Sequence, residues 1–120
     1  MAGGGEALIA RCHCGRVAIT LPRVPDEISQ CNCSLCSKTG FMGIYYDPKE
    51  VTVSGDVDPY VRSDLDEACL TNWRCSHCGC ATHWTGLGQY AEGRMGVNAR
   101  MVDARALGGV PVKPVDGASW

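Results

Sequence analysis

Short runs of alternating apolar and polar positions, separated by turn residues, set the pattern of this chain. Ala7-Leu8-Ile9-Ala10 is apolar, and after Arg11-Cys12-His13-Cys14-Gly15 the residues Val17, Ile19 and Leu21 alternate with Ala18 and Thr20. A period of two marks a strand. Two strands therefore flank a tight turn, in which Gly15 can take the positive φ that other residues avoid. Pro22 and Pro25 break the second strand, and residues 26–30 lead into a cysteine-rich stretch. Beyond it, residues 41–46 are β-prone, with Tyr45 and Tyr46 on opposite faces. Val51-Thr52-Val53 predicts a short strand between the turns at Asp47-Pro48 and Ser54-Gly55-Asp56. Residues 60–62, 68–73, 82–85 and 95–100 predict four more strands, with an acidic loop at 63–67 and another loop at 89–93. Residues 101–107 predict one short helical turn. Gly108, Gly109, Pro111, Pro114 and Gly117 predict an irregular tail. Many short strands between turn signals define an all-β class. The division expected is a disordered Gly-rich lead-in over 1–6, one domain over 7–107 and a tail over 108–120.

Composition narrows the function classes. A charged fraction of 20% and a hydrophobic fraction of 45% are ordinary for a globular domain. The net charge of -2 offers no attraction for nucleic acid or an anionic membrane. No apolar run approaches the ~20 residues of a membrane span. The first residues lack the basic-then-apolar pattern of a secretory leader, so a cytoplasmic location is expected.

Nine cysteines change the picture. An odd count without an export signal points to a reducing compartment, where close-spaced cysteines bind metal rather than pair as disulfides. Cys31, Cys33 and Cys36 place three sulfurs within one short stretch, suited to convergence on a single ion. Tetrahedral zinc takes four ligands, and three protein ligands leave a position for water or a substrate sulfur, as in catalytic sites. Cys12 with Cys14, and Cys75 with Cys78, form two half-sites on hairpins far apart in sequence. Joined, they make a four-sulfur site of structural type, whose metal would couple directly to folding. A redox role for Cys75 and Cys78 would need a βαβ context that the strand pattern lacks.

Taken together, Cys12-x-Cys14-Gly15, Cys31-x-Cys33-Ser34-x-Cys36, Cys75-x-x-Cys78-Gly79 and Gly96-Val97-Asn98-Ala99-Arg100 resemble the glutathione-dependent formaldehyde-activating enzyme family, which includes the domain of centromere protein V. The resemblance spans residues 7–103 approximately and rests on seven cysteines in order and spacing. It implies a β-tent of short antiparallel strands stapled by a structural zinc at Cys12, Cys14, Cys75 and Cys78. It implies a second zinc at Cys31, Cys33 and Cys36, where a glutathione adduct binds. The implied activity is that of a carbon–sulfur lyase joining formaldehyde and glutathione. The alternative is a non-catalytic zinc-binding scaffold of the same fold, and the oligomeric state is left open. Cys80 stands where many members have Thr or Ser, and Cys69 has no counterpart. Both are expected to be buried free thiols acting as small hydrophobes.

Other residues are weighed by position. His13 and His77 are expected to face solvent, because four sulfurs already complete their site. His83, beside Trp84, is expected to be a half-buried strand histidine rather than a proton shuttle. Lys38 follows the three-cysteine stretch and is a candidate for a substrate carboxylate. Asn98 and Arg100 are expected on one face of their strand, as contacts to a substrate anion or as structural hydrogen-bonding groups.

Overall fold

A computed structural model describes residues 8–119. The lead-in expected over 1–6 lies outside the described residues. The described residues build ten strands: β1 (Leu8–Arg11), β2 (Ala18–Leu21), β3 (Ile28–Cys31), β4 (Gly43–Tyr46), β5 (Thr52–Ser54), β6 (Val57–Tyr60), β7 (Leu70–Cys75), β8 (Ala81–Gly86), β9 (Met95–Asn98) and β10 (Val112–Val115). One helix, α1 (Ser34–Thr39), follows β3. Three strands form a small sheet in the order β1-β2-β5, and seven form a larger one in the order β10-β3-β4-β9-β8-β7-β6. The pairs are antiparallel except β3 with β10, which is parallel. The fold is mostly β, as expected, with one helix added.

The core lies where the two sheets meet. Ile19 and Leu21 of β2, with Val17 before them, pack in one buried cluster with Ile44 of β4 and Val97 of β9. Burying a side chain of this size contributes about 1.5–3 kcal/mol, so these five residues carry much of the packing. Tyr46 joins them and donates its hydroxyl to the Arg23 carbonyl (2.9 Å), while Tyr45 on the other face is half-buried.

Two turns bring the distant cysteine hairpins together. The β1–β2 turn closes through Cys12 N–H to the Val17 carbonyl (3.1 Å), with Gly15 at φ +82. The β5–β6 turn presses Gly55, at φ +102, against residues 16 and 17; a Cβ there would stand 2.2 Å from the Arg16 carbonyl oxygen. β6 then pairs Val57 with Cys75, which sets the second hairpin beside the first.

Several elements differ from expectation. Helix α1 has six residues and none of them is buried, so it carries no apolar periodicity to read. Its cap is chemical: Cys33 Sγ accepts the Cys36 N–H (3.4 Å), and Gly40 ends it at φ +75. β3 is a strand although residues 26–30 show no alternation, because Ile28 and Ser29 are both buried between neighbours. The strand expected through Arg100 stops at Asn98, whose side chain accepts the Arg100 N–H (3.1 Å) and turns residues 99–101 into a 3-10 helix. The single helical turn expected over 101–107 is two 3-10 turns, Ala99–Met101 and Ala104–Leu107. The tail expected to be irregular over 108–120 instead supplies β10. Its prolines are tolerated because β10 is the edge of its sheet, where a missing N–H breaks no ladder bond.

Candidate metal centres

The first cluster joins the β1–β2 turn to the β7–β8 turn. The Sγ atoms of Cys12, Cys14, Cys75 and Cys78 lie within 4.8 Å of one another. Cys14 Sγ stands 3.6 Å from both Cys12 Sγ and Cys75 Sγ. A disulfide needs about 2.0 Å, whereas tetrahedral zinc with bonds of about 2.3 Å sets its sulfurs about 3.8 Å apart. The spacing therefore fits a shared ion. Backbone amides support the sulfurs: Val17 N–H donates to Cys12 (3.3 Å), and His77 and Cys78 N–H donate to Cys75 (3.4 Å each). Backbone hydrogen bonds from Cys14 and Cys80, helped by the thiols of Cys75 and Cys12, hold Cys78 down to about 6. Cys12 and Cys75 are buried, as a folding element requires.

His13 and His77 are exposed, and the His77 ring meets Arg16 Nη1 at 2.8 Å rather than the sulfurs. Cys80 is half-buried beside this cluster, with its carbonyl taking the Cys75 N–H (2.9 Å), and burial pushes its thiol up. Cys69 is exposed, which corrects the expectation that both extra thiols are buried. It sits just before β7, where its carbonyl accepts the Leu87 N–H (2.9 Å).

The second cluster sits where β3 runs into α1. Cys31 ends β3, Cys33 caps the helix and Cys36 lies in its first turn, with the three Sγ atoms within 4.8 Å of one another. Cys33 N–H donates to Cys31 Sγ (3.4 Å), and Cys36 N–H to Cys33 Sγ (3.4 Å). Burial raises the Cys33 thiol, but the Cys36 amide and the sulfurs of Cys36 and Cys31 outweigh it and hold Cys33 below the usual thiol range. Burial and the Cys33 sulfur push Cys36 far above that range. One sulfur ionises at the expense of another, which is how coupled donors behave before a cation shares their charge. The donor set fits zinc, which favours clustered thiolates.

Two segments distant in sequence enclose this cluster. Arg62, from the β6–β7 loop, donates to Ser34 Oγ (3.0 Å) at the start of α1 and pairs with Asp64 (2.6 Å). Its guanidinium is held charged by Asp64 first, then by the field of Cys33 and Cys36. The C-terminal segment docks on Asn32, between two of the sulfurs. Asn32 N–H donates to the Val115 carbonyl (3.1 Å), its amide donates to Asp116 Oδ1 (3.0 Å), and its oxygen accepts the Ala118 N–H (2.9 Å). Gly117 then lies against Cys31: a Cβ at that position would stand 2.4 Å from the sulfur.

A cavity of about 570 Å³ opens beside Cys31 and Cys36. Phe41, Met42, Pro114 and Val115 give it apolar walls, and Arg100 and Asp116 give it charge. Arg100 reaches it because its Nε donates to the Gly40 carbonyl (2.7 Å) at the end of α1. Asn98 is not part of that lining. It is buried, donates to the Ala81 carbonyl (2.7 Å) and accepts from the amides of Met42 (3.3 Å) and Arg100 (3.1 Å), so its role is structural. Lys38 is exposed on α1 and also stands outside the lining. His83 is buried on the core face, stacked on Trp73 and bonded to Thr82 Oγ1 (2.8 Å); burial holds it near 4, so it is neutral at neutral pH. It does not line the cavity. Asp116, Arg62 and Gly117 were not singled out from the sequence, because nothing near them in the chain points to the sulfurs they approach.

A mostly-β fold carrying two sulfur clusters, each fit for a metal ion and one beside a cavity, defines the class of protein. The chain belongs to the glutathione-dependent formaldehyde-activating enzyme family, whose profile it matches over residues 7–115. It is similar to a solved protein from Rhodobacter sphaeroides, with 25% identity and a TM-score of 0.66 over 88% of this chain and 100% of that one. Comparison with proteins of curated function finds no match.

Proposed function

We propose that this protein is a zinc-dependent carbon–sulfur lyase acting on the adduct of an aldehyde, formaldehyde being the simplest, with glutathione or another small thiol. The observation that carries the reading is the contrast between the two clusters. The four-sulfur set offers a full tetrahedron of protein ligands, two buried (Cys12, Cys75) and two exposed (Cys14, Cys78), while the three-sulfur set is one ligand short and its Cys31 and Cys36 line a cavity large enough for a ligand. Cys12, Cys14, Cys75 and Cys78 would hold a structural zinc, and Cys31, Cys33 and Cys36 a second one. When bound there, zinc supplies a Lewis acid that favours the thiolate form of a substrate sulfur. In the synthetic direction the sulfur adds to the aldehyde carbon, the C=O π pair moves to oxygen, and the thiol proton ends on that oxygen. The reverse breaks the carbon–sulfur bond. The residues contribute orientation: Asn32 and the tail hold the β3–α1 junction in place, and Arg100 offers a cation to the substrate's carboxylate. A cytoplasmic location belongs to the same reading, because nine thiols outside disulfides persist in a reducing compartment.

Titration calorimetry on protein carrying two zinc ions per chain tests this. Glutathione is expected to bind with one site per chain. No binding of glutathione or of any other small thiol would remove the substrate class and favour the scaffold alternative.

A further inference from the structure

We propose that the cavity beside Cys31 and Cys36 recognises a zwitterionic amino-acid head group, with Arg100 taking the carboxylate and Asp116 the ammonium of the incoming thiol. This deepens the functional reading above and rests on it.

The two charges are both placed by the fold. Arg100 is fixed through its Nε to the Gly40 carbonyl (2.7 Å), and among the described residues its guanidinium is in no ion pair. That leaves the outer nitrogens to meet a carboxylate in the forked geometry that arginine favours. Asp116 accepts from Asn32 Nδ2 (3.0 Å) through Oδ1 and from Ser119 Oγ (2.6 Å) through Oδ2. Each carboxylate oxygen keeps a second lone pair, and no cation pairs with Asp116 among the described residues. A cation and an anion on one cavity are complementary to a ligand carrying both signs. Both residues are exposed, so a ligand with one charge forgoes one charged contact and leaves the other group to water, and a ligand with none forgoes both.

Position completes the argument. Asp116 accepts from Asn32, and Asn32 separates two of the three sulfurs, so the tail is docked directly on the sulfur-bearing stretch. The ammonium-reading group therefore stands on the C-terminal segment, held by Asn32 next to Cys31. The apolar walls formed by Met42 and Pro114 suit the methylenes between head group and sulfur. A volume of about 570 Å³ exceeds what a single amino acid fills, which leaves room for a small peptide thiol. The tail, read from sequence as irregular, is on this account the element that sets specificity.

Calorimetry on the two-zinc protein with four size-related thiols tests the proposal, with zinc content checked before and after. Cysteine carries both charges, 3-mercaptopropionate the carboxylate alone, cysteamine the ammonium alone and 2-mercaptoethanol neither. Cysteine is expected to bind roughly twofold to tenfold more tightly than either singly charged thiol, the worth of one additional charge pair with an exposed side chain. Arg100→Gln is expected to reduce cysteine to the affinity of cysteamine while leaving cysteamine unaffected. Asp116→Asn is expected to reduce cysteine to the affinity of 3-mercaptopropionate while leaving that thiol unaffected. Equal affinity of the unsubstituted protein for all four thiols overturns the proposal and spares the functional reading, and needs no variant to be folded. Binding of none of them, with glutathione also silent, overturns both.

Discussion

Cys75→Ala is expected to give insoluble or largely unfolded protein. The residue is 1% exposed and supplies one of four sulfurs through which a shared ion would tie the β1–β2 turn to the β7–β8 turn. It also receives two backbone amides, from His77 and Cys78. Structural zinc sites of this kind contribute about 10–16 kcal/mol in zinc-finger peptides. The net stability of a domain is only about 5–15 kcal/mol. Losing the site therefore removes a term as large as the whole margin. What remains after substitution is three thiols without a complete donor set, Cys12 buried and Cys14 and Cys78 exposed. Circular dichroism and the soluble fraction on expression read the outcome, and a folded Cys75→Ala protein melting within a few degrees of the parent would show that the four sulfurs do not hold the fold.

Cys33→Ala is expected to behave in the opposite way. It should keep the fold, lose one of two zinc ions and lose all binding of small thiols. The three sulfurs it belongs to lie on one β3–α1 junction, so their metal closes no long loop and contributes little to folding. The structural loss is the cap of a six-residue helix, in which Cys33 Sγ accepts the Cys36 amide. A lost cap costs about 1 kcal/mol, equivalent to roughly 3–5 °C in Tm for a chain of this size. Zinc content by elemental analysis and a thermal melt check both halves of the expectation. Unfolding as complete as that of Cys75→Ala would make the second cluster structural and leave the lyase reading without support.

The contrast between these variants was legible in the sequence, since it follows from ligand count and chain separation alone. So was the class of fold, because Val17, Ile19 and Leu21 alternate cleanly and Gly15 marks the turn between their strand and β1. The surroundings of the three sulfurs were not legible. Helix α1 buries nothing and spans too few residues for a periodic signal. The pairing of β10 with β3 joins positions more than eighty residues apart, and Pro111 and Pro114 disguise it. The wall that carries Asp116 depends on that pairing. Arg100 illustrates both outcomes: the strand that was to carry it ends two residues earlier, yet the turn capped by Asn98 delivers it to the cavity. Asn98 itself is used up by backbone groups that only the folded sheet brings within reach.

On the proposed reading the three-sulfur centre keeps a position for a substrate thiol while the four-sulfur centre is closed. Zinc K-edge X-ray absorption on the two-zinc protein, with and without glutathione, tests it most directly. About 3.5 sulfur neighbours per zinc are expected in the protein alone, rising to about 4 when the thiol is added. Sulfur coordination that stays the same on adding glutathione at saturating concentration would contradict it.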